Sequence, residues 1–143
     1  HTLLSCLKNM SLPMPKIFLD LSELVLNYEL REELVKEPLN TARIGQLLND
    51  LKQSSAEIDI EEIKCIITKR LNTLIKAVLQ DPQEMENIGK VIDLLNFIEM
   101  FNLPVNLYYA QNAIYKLVCH IMPQYKSNEF VKILLHKLNL NLC

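Results

Sequence analysis

The chain has no tryptophan, two glycines, three histidines and four cysteines in 143 residues, and each scarcity removes a class of function. Gly45 and Gly89 stand apart, so no glycine-rich loop can cradle a phosphate. A β-rich fold of this length would need more glycine for its turns. Cys6, Cys65, Cys119 and Cys143 form no CxxC or CxxH pair, which reads as free thiols in a reducing, cytoplasmic compartment. His136 has no second ligand three or four residues away. His120 directly follows Cys119, and neighbours on a helix point about 100° apart, so the two cannot act on each other as nucleophile and base. No metal and no cofactor is expected. Asp93, Glu99 and Pro104 interrupt the longest apolar run before it reaches membrane-spanning length. Net charge is −2 and the pI is near 5.9, with Lys and Arg scattered, which is no footprint for nucleic acid. Neither nucleic acid nor membrane is expected as a partner.

Carboxylates are plentiful in Glu29–Glu33 and Glu57–Glu62. Their spacing suits solvated helix faces and helix N-termini, where the dipole favours them. Nothing singles out two that converge, so no catalytic residue is assigned.

What the chain does have is helical punctuation. Half of its residues are hydrophobic, enough for a core at this length. Residues 1–11 read as a weak helical lead-in or the tail of a preceding segment, and residues 12–143 as a single helical domain. The chain opens on His1, which reads as a fragment, a processed chain or a tag remnant. Pro15 opens helix one, predicted to run to Lys36. Its main stripe is Ile17, Leu21, Leu24, Tyr28 and Val35. A second stripe, Leu19, Leu26, Leu30 and Leu34, lies almost opposite. Such a helix either sits in mid-bundle or has lost a partner surface.

Asn40 caps helix two (residues 41–53), with Ile44, Leu47, Leu48 and Leu51 facing inward and a Leu39–Ile44 staple. Asp59 and Glu62 form a capping box for helix three, to Leu79, with Ile63, Ile66, Ile67, Leu71, Leu74 and Val78 inside and Cys65 on the polar side. Asp81, Pro82 and Glu84 occupy the cap, first and third positions of helix four, which reaches Phe101. Its stripe is Met85, Ile88, Val91, Ile92, Leu95 and Ile98, with Leu94, Phe97 and Phe101 as a second apolar side. Asn106 caps helix five (107–122), and Ser127 caps helix six, which carries Phe130, Val131, Leu134, Leu135 and Leu138. The fold class is therefore all-α, a compact bundle of about six helices.

Helix five looks central. Leu107, Ala110, Ile114, Leu117, Val118 and Ile121 share one side, and Tyr108, Tyr115, Cys119 and Met122 widen the apolar arc to roughly two-thirds of the circumference. Gln111 lies within that arc, where an amide needs a partner such as a helix-end carbonyl. Phe97, Phe101, Tyr108, Tyr109 and Tyr115 gather around the Pro104 corner, with core packing as the default and a groove as the alternative.

An internal correspondence is also visible. Glu37-Pro38 and Asp81-Pro82 are each followed, 44 residues apart, by Ile-Gly and an apolar pair. That period lies in the range of HEAT-like helical-hairpin repeats, with close helix approach as the expected role of each glycine. No third copy begins near Lys126, so a compact bundle is preferred to an open solenoid.

Leu103-Pro104, Asn106-Leu107-Tyr108 and Ala110-Gln111-Asn112 resemble a motif near the C-terminal end of certain family 57 glycoside hydrolases, α-amylase- or α-mannosidase-like proteins with a C-terminal helical region. The similarity extends from Leu12-Pro13 through Leu26-Asn27 and the Pro38 and Pro82 helix starts to Val118. The family motif often has tryptophan where this chain has Tyr108. The resemblance implies that the catalytic carboxylates belong to a preceding barrel-type domain and to no residue here. It places Asn106, Gln111 and Asn112 at the motif's polar positions, where they would fix the helix corner or its contact with the catalytic part; with Tyr108 and the apolar-side residues Phe97 and Phe101 they are the structural or interdomain candidates. The expected function is a non-catalytic C-terminal module that packs on, or shapes, a polysaccharide-active domain. Its partners would be that preceding domain or another protein, with polysaccharide reached through the parent. The rival is a stand-alone HEAT-like protein-interaction module, with a homodimer as one use of its apolar faces.

Overall fold

The computed structural model describes residues 16–54 and 57–141 of the chain. The lead-in at residues 1–11, Pro15 as the opening residue of helix one, and Cys6 and Cys143 lie outside the described residues. Among those described, the protein is all-helical. It comprises α1 (Lys16–Val35), α2 (Thr41–Gln53), α3 (Ile60–Gln80), α4 (Met85–Met100), α5 (Tyr108–Lys116) and α6 (Glu129–Lys137). A π-helical turn (Leu117–Ile121) and a 3-10 segment (Pro123–Ser127) join α5 to α6. This is the all-α architecture of about six helices that the prolines and caps predict. The contacts gather into two units, one up to Ile63 and one from Lys64 onward.

In the first unit, α1 packs against α2. Asn40 accepts the Arg43 amide at 3.1 Å, and Asp59 accepts the Glu62 amide at 3.0 Å, so both expected caps form. The Glu62 carboxylate does not complete a capping box in the hydrogen bonds observed; it takes Arg31 of α1 at 3.0 Å. Arg43 of α2 likewise donates to Glu29 of α1 at 2.9 Å. The buried face of α1 is Ser22, Leu26, Leu30 and Leu34, the second stripe and not the main one. Leu19, expected with that stripe, is exposed. The lengths explain it: α1 has 20 residues and α2 has 13. At about 1.5 Å rise per residue, an antiparallel α2 runs out before the first turn of α1. Periodicity shows that α1 has two apolar faces but not which one α2 takes.

In the second unit, α4 packs against α6, and α4 is the most enclosed helix. Ile88, Val91, Ile92, Leu94, Leu95, Phe97 and Ile98 are all buried, so its two apolar sides are both covered. Helix five was expected to hold that central place; α5 and its π-turn bury only Ala110, Ile114, Leu117 and Val118. On α3, Ile67, Leu71, Ile75 and Val78 are fully buried; Ile75 replaces Leu74 and Ile66, which are half-buried.

Helix starts and stops depart from expectation at α4, at α6 and along helix five. α4 begins three residues late, at Met85, and its N-cap is Glu84, whose carboxylate accepts the Glu86 amide at 3.5 Å. Asp81 instead closes a turn, its carbonyl accepting the Glu84 amide at 3.2 Å. Pro82 therefore serves as the second residue of a β-turn, a position its fixed φ suits equally well. α6 is capped by Asn128, which accepts the Phe130 and Val131 amides at 2.9 and 3.3 Å. Ser127 ends the 3-10 segment and donates to Gln124. Helix five, finally, is not uniform. Met122 donates to the Leu117 carbonyl at 2.7 Å, an i→i+5 bond that widens the turn. Ile121 is the last residue of that turn, before Met122 leaves helical geometry (φ −134°, ψ 70°), and it is 64% exposed.

Two helices share a stop signal that prolines do not explain. Asn102 and Asn139 have φ of 49° and 57°. After α4, Asn102 and Leu103 donate to Glu99 and Ile98; after α6, Asn139 and Leu140 donate to His136 and Leu135. Both are Schellman caps with asparagine in the left-handed position.

The 44-residue correspondence survives in three dimensions. The N-caps Asn40 and Glu84, and the first helical residues Thr41 and Met85, are 44 positions apart. Ile44 and Ile88, and Leu47 and Val91, are buried in both copies. The glycine argument fails at Gly89, where an added Cβ would meet nothing within 4 Å; the second copy has no close helix approach there.

Candidate functional site

The Pro104 corner assembles the candidates differently from the expectation of a shared aromatic core. Phe97 is buried and stacks on half-buried Phe101, ring centroids 4.8 Å apart and tilted by 59°. Tyr108, Tyr109 and Tyr115 are exposed at 70%, 40% and 45%. The tyrosines lie on the outside because the buried arc of α5 is narrow, not two-thirds of the helix. Asn106 accepts the Tyr108 amide at 2.9 Å, while the cap position itself falls on Leu107, whose carbonyl takes the Gln111 amide at 2.8 Å. Asn106 thus makes the turn that leads into α5, one residue ahead of its expected place. Asn112 is exposed.

Gln111 is half-buried rather than buried, and its Nε2 donates to the Leu138 carbonyl at 2.8 Å. Leu138 is the C-cap of α6, one of the carbonyls that a helix end leaves without an intrahelical partner. The amide therefore secures the end of α6 against α5.

No group of three or more His, Cys, Asp or Glu side chains could hold a metal among the described residues. Cys65 is exposed and Cys119 half-buried, both as free thiols. Exposed His120 lies edge-on to Tyr115, centroids 6.1 Å apart. No described helix is long and apolar enough to cross a membrane. Tyr125 is 9% exposed, and its hydroxyl has no hydrogen-bond partner among the described residues. Burial raises its phenol above the ordinary range, with the negative charge of Asp81 adding to the effect.

A second candidate lies wholly in the first unit. The outer face of α1 exposes Ile17, Leu21, Leu24, Tyr28 and Val35 at 51–64%. Beside it an open groove of about 730 Å³ runs between α1 and the start of α3, lined by Asp20, Glu23, Leu24 and Asn27 on one wall and Glu57–Glu62 on the other. Two tethers hold the walls together. Asn27 Nδ2 donates to the Glu57 carbonyl at 3.3 Å and to its own helix at Glu23 at 2.9 Å; Arg31 pairs with Glu62. Among the described residues, six carboxylates line the groove against one guanidinium, which Glu62 already holds. The chain's charge is divided in the same sense. Residues up to Ile63 hold eleven acidic and six basic side chains, a net −5; those from Lys64 hold six and nine, a net +3. The main stripe of α1 was legible in the sequence, but its outward direction was not. The facing acidic segment was visible only as solvated caps.

No protein-family model matches the chain, and no curated protein and no solved structure shows significant similarity to it.

Proposed function

We propose that this chain is a non-catalytic helical module that docks on another polypeptide through the outer face of α1. One observation supports the reading: an apolar row spaced four, three, four and seven residues apart, exposed on the side of α1 opposite its buried Leu26, Leu30 and Leu34. A row of this kind is the signature of a helix that meets a second apolar surface. The family 57 resemblance names that surface as a preceding polysaccharide-active domain, with the module in the cytoplasm beside it. Under this reading the isolated chain hydrolyses no α-glucan, and the coding sequence upstream of His1 reads as alternating β and α elements of a barrel. Measurable hydrolysis by the isolated chain overturns it.

The 44-residue match of α2 and α4 in cap, start and buried positions favours a second reading, a HEAT-like helical-hairpin adaptor that serves a separate partner. A start codon immediately before Thr2 would select it.

A further inference from the structure

We infer that the outer face of α1 and the acidic groove beside it form one docking surface whose occupant is a basic amphipathic helix of a partner protein. The inference rests on the docking role proposed for α1 and adds the chemistry of what docks. Leu21, Leu24 and Tyr28 present an apolar strip at the spacing that receives a helix's own anchors. Leu24 also lines the groove, so the strip and the carboxylates form one continuous surface. Asp20 and Glu61, on opposite walls, are exposed. They are placed to meet lysine or arginine on the flanks of a helix lying on the strip.

Charge selects among the possible occupants. A second α1 would bring Asp20, Glu23 and Glu32 against the same signs, and like charges at close range oppose pairing. Nucleic acid and anionic lipid surfaces are repelled for the same reason. The Asn27–Glu57 and Arg31–Glu62 tethers hold the two walls in place without a partner. A preformed site loses less freedom on binding.

The probe is a fluorescein-labelled amphipathic peptide of about 18 residues with leucines at i, i+4 and i+7 and lysines on both flanks. Fluorescence anisotropy with the whole chain should show saturable binding that weakens severalfold between about 0.05 M and about 0.5 M salt. The same peptide with glutamine for lysine should bind at least about tenfold more weakly. Leu21→Gln/Leu24→Gln and Asp20→Lys/Glu61→Lys, each checked for retained helix by circular dichroism, should each lose about tenfold. The charge-reversed variant should gain a glutamate-flanked peptide instead. Equal binding of the glutamine peptide overturns the basic partner but leaves α1 as a docking helix. Absence of peptide binding overturns the inference; if light scattering then shows a dimer that Leu21→Gln/Leu24→Gln dissolves, the face belongs to a second copy.

Discussion

Gln111 donates to the Leu138 carbonyl at 2.8 Å across 27 residues of chain. The bond closes the last turn of α6 just before Asn139 reverses the chain with φ of 57°. Replacing Gln111 with leucine removes the donor and leaves a helix-end carbonyl to find water. The side chain is half-buried, so the expected loss is about 1 kcal/mol, read as a lower urea midpoint at unchanged slope. A variant as stable as the parent would show that the bond contributes nothing.

The two faces of α1 differ in what they should tolerate. Leu30 is 1% exposed and Leu24 is 62% exposed. Leu30→Ala should cost about 2–5 kcal/mol, whereas Leu24→Ala should stay within about 0.5 kcal/mol. The same contrast should separate Leu94→Ala on α4 from Ile121→Ala at the π-turn. Thermal melts of the four variants check it, and a reversed order on α1 would restore the main stripe to the core.

Gly89 sits inside α4 with open space where a methyl group would go. Gly89→Ala should therefore stabilise the protein by about 0.5–1 kcal/mol, since alanine restricts the unfolded chain and suits a helix interior. The melting temperature should rise by a few degrees. A fall would mean that the backbone there needs glycine after all.

Asn102 and Asn139 hold left-handed backbone at the ends of α4 and α6. Glycine at either position should be tolerated, while valine should cost about 1–2 kcal/mol because its branched Cβ crowds the following carbonyl. Denaturation of Asn139→Gly beside Asn139→Val isolates the backbone contribution.

Tyr125 buries a hydroxyl without a partner among the described residues, so Tyr125→Phe should be neutral or stabilising. Its phenol titrates above the ordinary 10.0 because burial, and then Asp81, oppose the phenolate. Between the unfolded and folded values the native state holds more protons, so stability is full below pH 10 and falls as pH rises beyond it. Tyr125→Phe should lose that part of the alkaline fall. An identical alkaline profile in the two proteins would refute the assignment.

Much of this was written in local chemistry. Asn40 and Asp59 cap where their side chains can reach amides three residues on, and Pro38, Pro82, Pro104 and Pro123 stand outside α-helix interiors, because caps and prolines act over a few bonds. The Asn102 and Asn139 stops were open to the same kind of reading: each asparagine stands before a leucine at the end of an apolar run. Asp81-Pro82 misled because proline serves a β-turn as readily as a first helical turn. The π-turn at Leu117 left no signature.

The sequence by itself determined that the chain is all-helical, where most helices begin and end, and which residues are apolar, since these follow from backbone sterics and side-chain periodicity. Only the tertiary structure decided that α2 lies on the Leu26–Leu34 side of α1, that α4 and not α5 is the enclosed helix, and that Gln111 reaches Leu138. Those outcomes depend on which surfaces meet across long stretches of chain, and a periodic stripe carries no label for its partner.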